Sequence, residues 1–369
     1  MILTLLPSKM SLIKTQILHI LKRRLSSTRN LPDHRALIIE SFGEPQETIK
    51  LKISKPEEVL PDSLGPKQIL VQHLAACVNP ADINVAQGLY GKKATLPAII
   101  GNEGITRVLE VGSQVKNLQP GDIALGVSTQ GYWQSYSVQD DETFYKISHD
   151  LDVTTSVQLK VNPCTAYRMM RDYVSMRPGD VMIQNGANSA VGVYAIQLAK
   201  HWEIKTINVI RDRPNKCDII KELKDFGADY VITEEESRNA DLMAPILKNI
   251  GKPSLFLNCV GGKNASNCFR HLDHGGTSVT YGFMSKQPLM LGAQSMFKDH
   301  KIAFFWMSRW YNEREPQKRD EIACMLNELA GMFKDGVLKP KSTTVIEFED
   351  RNEAFNNSNN TKYVFSINK

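Results

Sequence analysis

The stretch Val181–Arg213 reads VMIQNGANSAVGVYAIQLAKHWEIKTINVIRDR. Its first residues, Val181–Gln184, have the apolar character of a buried strand, and Gly186 opens a turn of small residues. Residues at helical spacing follow, and Thr206–Ile210 is a second strand rich in β-branched residues. This order predicts strand–turn–helix–strand, the parallel crossover of a dinucleotide-binding fold.

The turn in this unit predicts a phosphate site. Small residues let the backbone approach a pyrophosphate, whose charge is met by the N–H groups at the start of the helix. Gly186, Ser189 and Gly192 occupy the three positions of the usual glycine pattern, so the middle glycine is missing. A turn that serves only tight packing therefore stays open as an alternative.

The end of the second strand, Arg211-Asp212-Arg213, bears on the choice of cofactor. Two guanidiniums suit a ribose 2′-phosphate, because charge-assisted hydrogen bonds contribute roughly 1.5–3 kcal/mol each. An NAD site usually has an acidic residue there, which accepts from the ribose 2′-hydroxyl. The sequence favours NADP(H) over NAD(H), although Asp212 in the NAD role and a solvated turn are both alternatives.

Composition bounds the class of protein. The 369 residues are 42% hydrophobic and 23% charged, which suits a substantial core and two domains. No apolar run approaches the ~18 residues of a membrane span. The six cysteines form no C-x-x-C pair, which indicates free thiols in a reducing compartment.

The first 32 residues carry six Lys or Arg and no acid, so without them the formal net charge falls from +5 to −1. One face of a basic amphipathic helix is formed by Ile13, Ile17, Ile20 and Leu21. The segment predicts a mitochondrial transit peptide, residues 1–32, cleaved between Leu25 and Pro32; a secretory signal and a surface-binding helix are the alternatives. The remaining chain is near neutral, and nothing suggests nucleic-acid binding.

Two patterns divide the rest of the chain. Residues 36–150 contain short strands with Gly/Pro turns, which predict a partly open antiparallel barrel. In this part, residues 79–82 are interpreted as a turn. Asn162-Pro163 predicts a helix start with Asn162 as the cap. Strands and helices then alternate as in a parallel sheet covered on both faces, and a long helix, Arg319–Lys334, opens a tail expected to rejoin the barrel.

Several motifs together carry a family resemblance. The segment Val111-Gly112 through Gly121-Asp122, the NGANSAVG loop and the alternating body resemble the medium-chain dehydrogenase/reductase superfamily. More narrowly, VNPADINVAQGLYG, GNEG, VNPCTAYR, NCVGGK, GGTSVTYG and INVIRDRP resemble the mitochondrial trans-2-enoyl-thioester reductases. The resemblance covers nearly all of residues 36–369.

The resemblance implies an α/β fold in which a Rossmann-type doubly wound parallel sheet accompanies a GroES-like barrel. The expected domains are 33–160, completed by 310–369, for the GroES-like part and 161–309 for the NADP(H)-binding part. It also implies NADPH-dependent reduction of enoyl-CoA or enoyl-acyl-carrier-protein thioesters, in the last reductive step of mitochondrial fatty acid synthesis. The expected partners are an acyl-carrier protein and a second copy in a homodimer.

The residues themselves argue against zinc. Zinc-dependent members of the superfamily have Cys and His ligands where this chain has Asn79 and Asn102, and Asn is a poor ligand for Zn²⁺. The four-cysteine lobe of the structural zinc is also missing. His271 and His274 are interpreted as a surface feature. We therefore expect no metal, and without a Lewis acid alkene reduction is a better interpretation than alcohol oxidation.

Tyr90, within Gln87-Gly88-Leu89-Tyr90-Gly91, matches the proton donor of the resembling family. A phenol is protonated at neutral pH and can donate to a developing carbanion, which contributes typically ~10²–10⁴ in rate. On spacing alone, Tyr90 is an ordinary loop aromatic.

The resemblance assigns the remaining cofactor contacts to Asn162; to Asn188, Ser189, Ala190 and Val191; to Arg211, Asp212 and Arg213; to Tyr281, Gly282, Phe283 and Met284; to Phe305, Trp306 and Met307; and to Lys362. Asn162 lies at the nicotinamide side. The group Asn188–Val191 lies at the pyrophosphate, and the group Arg211–Arg213 lies at the adenine-ribose phosphate. The segment Tyr281–Met284 lies under the nicotinamide, where Phe283 replaces an expected glycine and narrows the pocket, and Phe305–Met307 is a further cofactor segment. Helix capping, strand ends and core packing are the alternative explanations.

Two other functions stay open. A zinc-free NADPH quinone oxidoreductase shares the fold and cofactor but reduces a different acceptor. A non-catalytic cofactor-binding regulator would bind NADPH without turnover. Tyr90 and the RDR sequence favour the enoyl reductase.

Overall fold

The computed structural model describes residues 30–127, 131–147, 151–314, 318–356 and 361–367. The predicted transit peptide therefore lies outside the described residues, except for its last three positions. Within the described ranges, no helix is long and apolar enough to cross a membrane.

The strands of the described chain are β1 His34–Ile39, β2 Ile49–Ser54, β3 Gln68–Cys77, β4 Ala98–Ile99, β5 Gly104–Val111, β6 Ile123–Gly126, β7 Tyr136–Asp140, β8 Phe144–Lys146, β9 Val181–Asn185, β10 Lys205–Ile210, β11 Tyr230–Thr233, β12 Leu255–Asn258, β13 Thr277–Thr280, β14 Lys301–Phe304, β15 Thr343–Ile346 and β16 Lys362–Ser366.

The α-helices are α1 Pro45–Thr48, α2 Pro56–Val59, α3 Pro80–Ala86, α4 Val153–Ser156, α5 Asn162–Asp172, α6 Ala190–His201, α7 Lys216–Phe226, α8 Ala240–Ile250, α9 Gly262–Phe269, α10 Gln294–Phe297, α11 Met307–Asn312, α12 Arg319–Lys334 and α13 Arg351–Phe355. Single 3₁₀ turns cover Asp141–Thr143 and Glu236–Arg238.

Contacts divide the chain into two compact units. The first comprises 1–146, 345–356 and 364–369, and the second comprises 147–344 and 357–363. These limits differ from the predicted ones, which assigned 147–160, 310–344 and 357–363 to the barrel. Two bonds illustrate why: the Trp310 Nε1–H donates to Asp172 Oδ2 on α5 (3.2 Å), and the Tyr167 hydroxyl on α5 contacts Glu328 on α12 (2.6 Å).

The second unit is built on a parallel sheet with the described strand order β11-β10-β9-β12-β13-β14. One face packs through Ile183, Ile207 and Phe256 under α8 and α9. The other packs through Val193, Ile196 and Leu223, which lie on α6 and α7. Burying such side chains contributes about 1.5–3 kcal/mol each, so both faces need their helices. The predicted sheet covered on both faces is confirmed.

The first unit contains antiparallel sheets. The long strand β3 pairs with β5 along one side; on its other side, β7 pairs with the first half and β16 with the second. A separate three-stranded sheet has the order β2-β1-β4. Ile69, Val71 and Phe144 form part of the core of this unit. The strand-rich pattern of residues 36–150 therefore folds as antiparallel sheet, as predicted.

Two local predictions were wrong. Residues 79–82 are not a simple turn but the start of α3, because Pro80 fits the first turn of a helix and the Asn79 N–H donates to Asp82 Oδ2 (2.8 Å). Asn162 is not the cap of α5: the cap is Val161, and Asn162 is the first helical residue.

Candidate active site

The turn between β9 and α6 is shaped by close packing. Gly186 has φ +58°, and a Cβ there would lie 2.5 Å from Cys259 Sγ. A Cβ on Gly192 would lie 2.4 Å from the Ala187 carbonyl oxygen. Both positions therefore require glycine. The middle position tolerates Ser189, whose side chain caps α6 by accepting from the Gly192 N–H (3.1 Å).

Buried amides fix the loop ends beside this turn. Asn185 at the end of β9 donates to the side-chain oxygens of Asn258 and Asn264 (2.8 Å each) and accepts from the Cys259 N–H (2.8 Å). Asn258 Oδ1 in turn accepts from the Gly261 N–H (3.0 Å). Because buried polar groups are costly when unpaired, this network favours one loop arrangement at the carboxyl end of the sheet.

The hydroxyl of Tyr281 lies next to this network. It is buried beside the Cys259 thiol and the Ser189 hydroxyl and makes no hydrogen bond of ordinary geometry among the described residues. Burial raises the pKa of Tyr281 well above its usual range and raises the pKa of Cys259 to about 11. Both groups are consequently protonated and uncharged near neutral pH.

Cations collect where β10 ends. Arg211 is exposed, Arg213 is half-buried, and Asp212 pairs with Lys216 (3.1 Å). The Asp212 carboxylate is thus already engaged by a neighbouring cation. A further cation, which no sequence motif identifies, is Lys341: its Nζ donates to the Asn188 carbonyl oxygen in the turn (2.7 Å).

The aromatic segments predicted from the sequence meet at a cavity of about 260 Å³. This cavity lies where β13 and β14 end, and Tyr281, Gly282, Phe283, Phe305 and Trp306 line it together with Thr280, Phe304 and Arg309. Phe283 is 51% exposed, so its ring stands at the cavity rather than in the core. Two segments that are distant in sequence are thereby brought together.

Three predicted residues lie elsewhere in the same unit. Met284 is 62% exposed, Met307 is buried at the start of α11, and Asn162 is buried at the start of α5; none of them lines the cavity. Lys362 is buried and close enough to Lys341 to affect its pKa. Ala190 and Val191 are the first two residues of α6.

Tyr90 belongs to the first unit and is half-buried. The loop that carries it folds back on α3, because the N–H groups of Leu89 and Tyr90 both donate to the Asn84 carbonyl (2.8 and 3.1 Å). Gly88 has φ +70°, and a Cβ there would lie 2.9 Å from the Phe42 ring. Glycine is therefore needed for the turn that presents Tyr90.

The two positions compared with zinc ligands form a hydrogen-bonded network. The Asn79 amide donates to Glu103 Oε2 (2.8 Å), and the Asn102 side chain and backbone N–H both donate to Asp82 Oδ1 (2.7 and 2.8 Å). Among the residues that the structure describes, no group of three or more His, Cys, Asp or Glu is arranged to hold a metal ion. His271 is not the surface feature expected, since it is half-buried and its Nε2 contacts the Ser237 carbonyl (2.8 Å).

This combination of a doubly wound nucleotide-binding sheet with an antiparallel unit defines a medium-chain dehydrogenase/reductase. Two family models agree: the "Alcohol dehydrogenase GroES-like domain" matches residues 65–148, and "Zinc-binding dehydrogenase" matches residues 190–327. The fold class predicted from the sequence, Rossmann-type sheet plus GroES-like barrel, is confirmed.

Relatives narrow the assignment. The chain is 41% identical to the mitochondrial enoyl-[acyl-carrier-protein] reductase of Xenopus tropicalis, over 88% of this chain and 91% of the relative. The mitochondrial 2-enoyl thioester reductase Etr1p/Etr2p heterodimer from Candida tropicalis matches with TM-score 0.83 and 30% identity, over 91% of this chain and 100% of that chain. A complex of Etr1p with NADP and crotonyl-CoA matches with the same TM-score, identity and coverage. The chain belongs to the mitochondrial enoyl-[acyl-carrier-protein] reductases, a family of oxidoreductases.

Proposed function

We propose that the chain uses NADPH to reduce trans-2-enoyl thioesters, carried on CoA or acyl-carrier protein, to saturated thioesters in mitochondrial fatty acid synthesis. One observation carries the proposal: an aromatic cavity and a cationic phosphate turn lie at the carboxyl edge of one parallel sheet. Ligands of doubly wound sheets bind at this edge. The relative solved with NADP and crotonyl-CoA supports the same cofactor and substrate class.

The residues present fit NADPH. The turn Asn188–Val191 would hold the pyrophosphate at the start of α6, and Arg211 with Arg213 would hold the 2′-phosphate. The cavity lined by Tyr281, Phe283 and Trp306 suits the flat nicotinamide, with Asn162 and Lys362 as further contacts. When bound there, the cofactor supplies a hydride to the β-carbon of the enoyl thioester.

Tyr90 supplies the proton. Addition of hydride at the β-carbon breaks the C=C π-bond and moves its electron pair toward the thioester carbonyl as an enolate. The phenolic O–H of Tyr90 then gives its proton to the α-carbon, and the resulting phenolate regains a proton from water.

The test is turnover of the Tyr90→Phe variant. We expect wild-type protein to oxidise NADPH with trans-2-enoyl-CoAs of four to sixteen carbons, and Tyr90→Phe to lose at least about tenfold in kcat, because general acid action is worth ~10²–10⁴ in rate. Binding of NADPH, followed by nicotinamide fluorescence, should not change. Tyr230→Phe is a matched control, since it removes a hydroxyl on β11 that accepts from the Asn249 amide (2.7 Å) and lies outside the proposed site.

Each alternative has its own outcome in this assay. Full activity of Tyr90→Phe would remove Tyr90 from the mechanism. Faster turnover of a quinone than of any enoyl-CoA would favour the quinone oxidoreductase. Tight NADPH binding without turnover of any enoyl thioester would favour the non-catalytic regulator.

The proposed location is the mitochondrial matrix, with residues 1–32 as the import signal. The "mitochondrial" in the names of the relatives and the basic composition of the segment support this location. A fluorescent protein fused to residues 1–32 should accumulate in the matrix, and a cytosolic signal would contradict the proposal.

We propose a homodimer through the β14 edge of the sheet in the second unit. Exposed apolar side chains cluster in this region of the sequence, with Phe304 64% exposed on β14 and Met296 and Phe297 73% and 75% exposed on α10. Monomeric proteins rarely expose large apolar patches. Light scattering should give twice the mass of one chain, and Met296→Glu with Phe297→Glu should give the mass of one; an unchanged mass would exclude this surface.

A further inference from the structure

Lys341 lies at the phosphate turn although it is far from it in sequence. Its Nζ donates to the carbonyl oxygen of Asn188 at 2.7 Å, across 153 positions of the chain. Asn188 is the residue before the Ser189 cap of α6, within the turn assigned to the pyrophosphate. Neither the sequence motifs nor the family resemblance identifies Lys341 as a cofactor residue.

The fold fixes the backbone that carries Lys341. The Gln197 side chain on α6 clamps Lys339: it accepts from the Lys339 N–H (2.7 Å) and donates to the Lys339 carbonyl (3.1 Å). Leu338 is 1% exposed and anchors the same segment. The approach of Lys341 to the turn is therefore set by α6 itself, and does not depend on a flexible surface loop.

Lys341 joins a group of cations. Burial lowers the pKa of Lys341, Glu222 opposes that shift, and Lys362 and Arg213 lower the pKa further. Lys362 and Arg213 are therefore each close enough to Lys341 to affect it, as is the carboxylate of Glu222. Like charges in a partly buried place disfavour one another, and an anion placed between them would relieve the repulsion.

We propose that Lys341 contacts the 2′-phosphate of NADPH and contributes to the preference for NADPH over NADH. This inference rests on the proposed function and adds a residue to its cofactor site. An ammonium has three N–H donors, so a bond to the Asn188 carbonyl is compatible with a second bond to a phosphate oxygen. Arg213, which follows β10 where the adenosine ribose binds, interacts with Lys341; this neighbour points to the 2′-phosphate rather than the pyrophosphate.

The first experiment measures dissociation constants of NADPH and NADH by fluorescence for four proteins: wild type, Lys341→Gln, Lys341→Arg and Lys339→Gln. Loss of one charge-assisted contact should weaken NADPH about tenfold or more in Lys341→Gln and leave NADH within about twofold. Lys341→Arg keeps the charge and should recover most of the affinity. Lys339→Gln removes the same charge two residues away, where the side chain is exposed, and should change neither constant.

Equal weakening of NADPH and NADH by Lys341→Gln would assign Lys341 to the pyrophosphate and overturn the inference, as would no weakening at all. Wild-type protein that does not prefer NADPH would overturn the proposed cofactor itself, so the two failures can be told apart.

A second experiment needs no variant. Wild-type protein is acetylated with an amine-reactive ester, and the modification of Lys341 is measured by mass spectrometry. Adenosine 2′,5′-bisphosphate should protect Lys341 several-fold more than ADP, which lacks the 2′-phosphate. Equal protection by both nucleotides, or protection by neither, would overturn the inference.

Discussion

The carboxyl edge of the parallel sheet has two contrasting ends. Where β9 and β10 end, Arg211 and Arg213 directly follow β10, and Lys341 contacts the turn capped by Ser189. Where β13 and β14 end, it places aromatic rings around a cavity of about 260 Å³. The same sheet edge therefore offers charge at one end and apolar surface at the other.

This difference separates two tasks. Cations bind a phosphorylated nucleotide through charge-assisted hydrogen bonds, which are weakened by salt where the groups are exposed. Aromatic side chains around a cavity exclude water and select ligands by their shape. Salt has little effect on this selection. If the contrast is functional, substitutions at the cationic end will change the preference for NADPH over NADH. Substitutions at the aromatic end, proposed to hold the nicotinamide that both nucleotides share, will change acyl selection and affect the two nucleotides equally.

The largest effect is expected from removing both guanidiniums of the cationic end. Arg211→Ala with Arg213→Ala should weaken NADPH on the order of 100-fold, because each charge-assisted bond is worth roughly 1.5–3 kcal/mol, and should weaken NADH only slightly. Titration of each nucleotide by fluorescence measures this. Arg238→Ala with Lys248→Ala removes two exposed cations elsewhere in the same unit and should change neither affinity. Equal losses for the two nucleotides would contradict the assignment of the 2′-phosphate.

The next effect is expected at the aromatic end. Phe283→Ala should widen the cavity and raise the ratio of kcat/KM for a sixteen-carbon to a four-carbon enoyl-CoA by about tenfold, since small differences in a hydrophobic pocket are worth ~1–3 kcal/mol. Because Phe283 also lines the proposed nicotinamide site, any loss of affinity should be equal for NADPH and NADH. Met290→Ala shortens another exposed apolar side chain that does not line the cavity and should leave the ratio unchanged. A larger loss of affinity for NADPH than for NADH, without a shift in chain-length preference, would break the contrast between the two ends.

The sequence predicts which segments lie at the carboxyl edge of the parallel sheet better than it predicts how those segments are arranged there. The strand–turn–helix unit is predicted correctly because apolar periodicity and small residues are local signals, and α12 begins and ends where the pattern predicts. Residues that directly follow parallel strands must share one edge of the sheet. Local sequence patterns single out the segments after β9 and β10, whereas the segments after β13 and β14 are assigned by the family resemblance.

Contacts between residues far apart in the sequence are not predicted by such local patterns. Lys341 lies in a segment without a local motif, and only the clamp between Gln197 and Lys339 brings it to the turn. Local patterns do not predict the limits of the compact units either. The packing of α12 on α5, and not its own periodicity, assigns α12 to the second unit. At residues 79–82 the sequence predicts a turn and the chain instead begins α3, since Asn-Pro suits both and only the bond from the Asn79 N–H to Asp82 decides.

The smallest predicted effect tests whether the turn acts separately from the cations beside it. Ser189→Ala removes the cap of α6 and should lower the free energy of unfolding by about 1 kcal/mol, measured by urea denaturation. Asn239→Ala is the matched control: it removes the cap of α8, where Asn239 accepts from the Asp241 N–H (2.9 Å), and should cost a similar amount.

Only Ser189→Ala should also weaken nucleotide binding, because the start of α6 faces the pyrophosphate in the proposed site. NADPH and NADH share that pyrophosphate, so their affinities should fall together, by about two- to fivefold for a contribution of up to ~1 kcal/mol. Ser189→Thr keeps the capping hydroxyl and should restore both affinities. If only the affinity for NADPH fell, the turn and the cations would both bind the 2′-phosphate. The separation of roles along this edge would then be wrong.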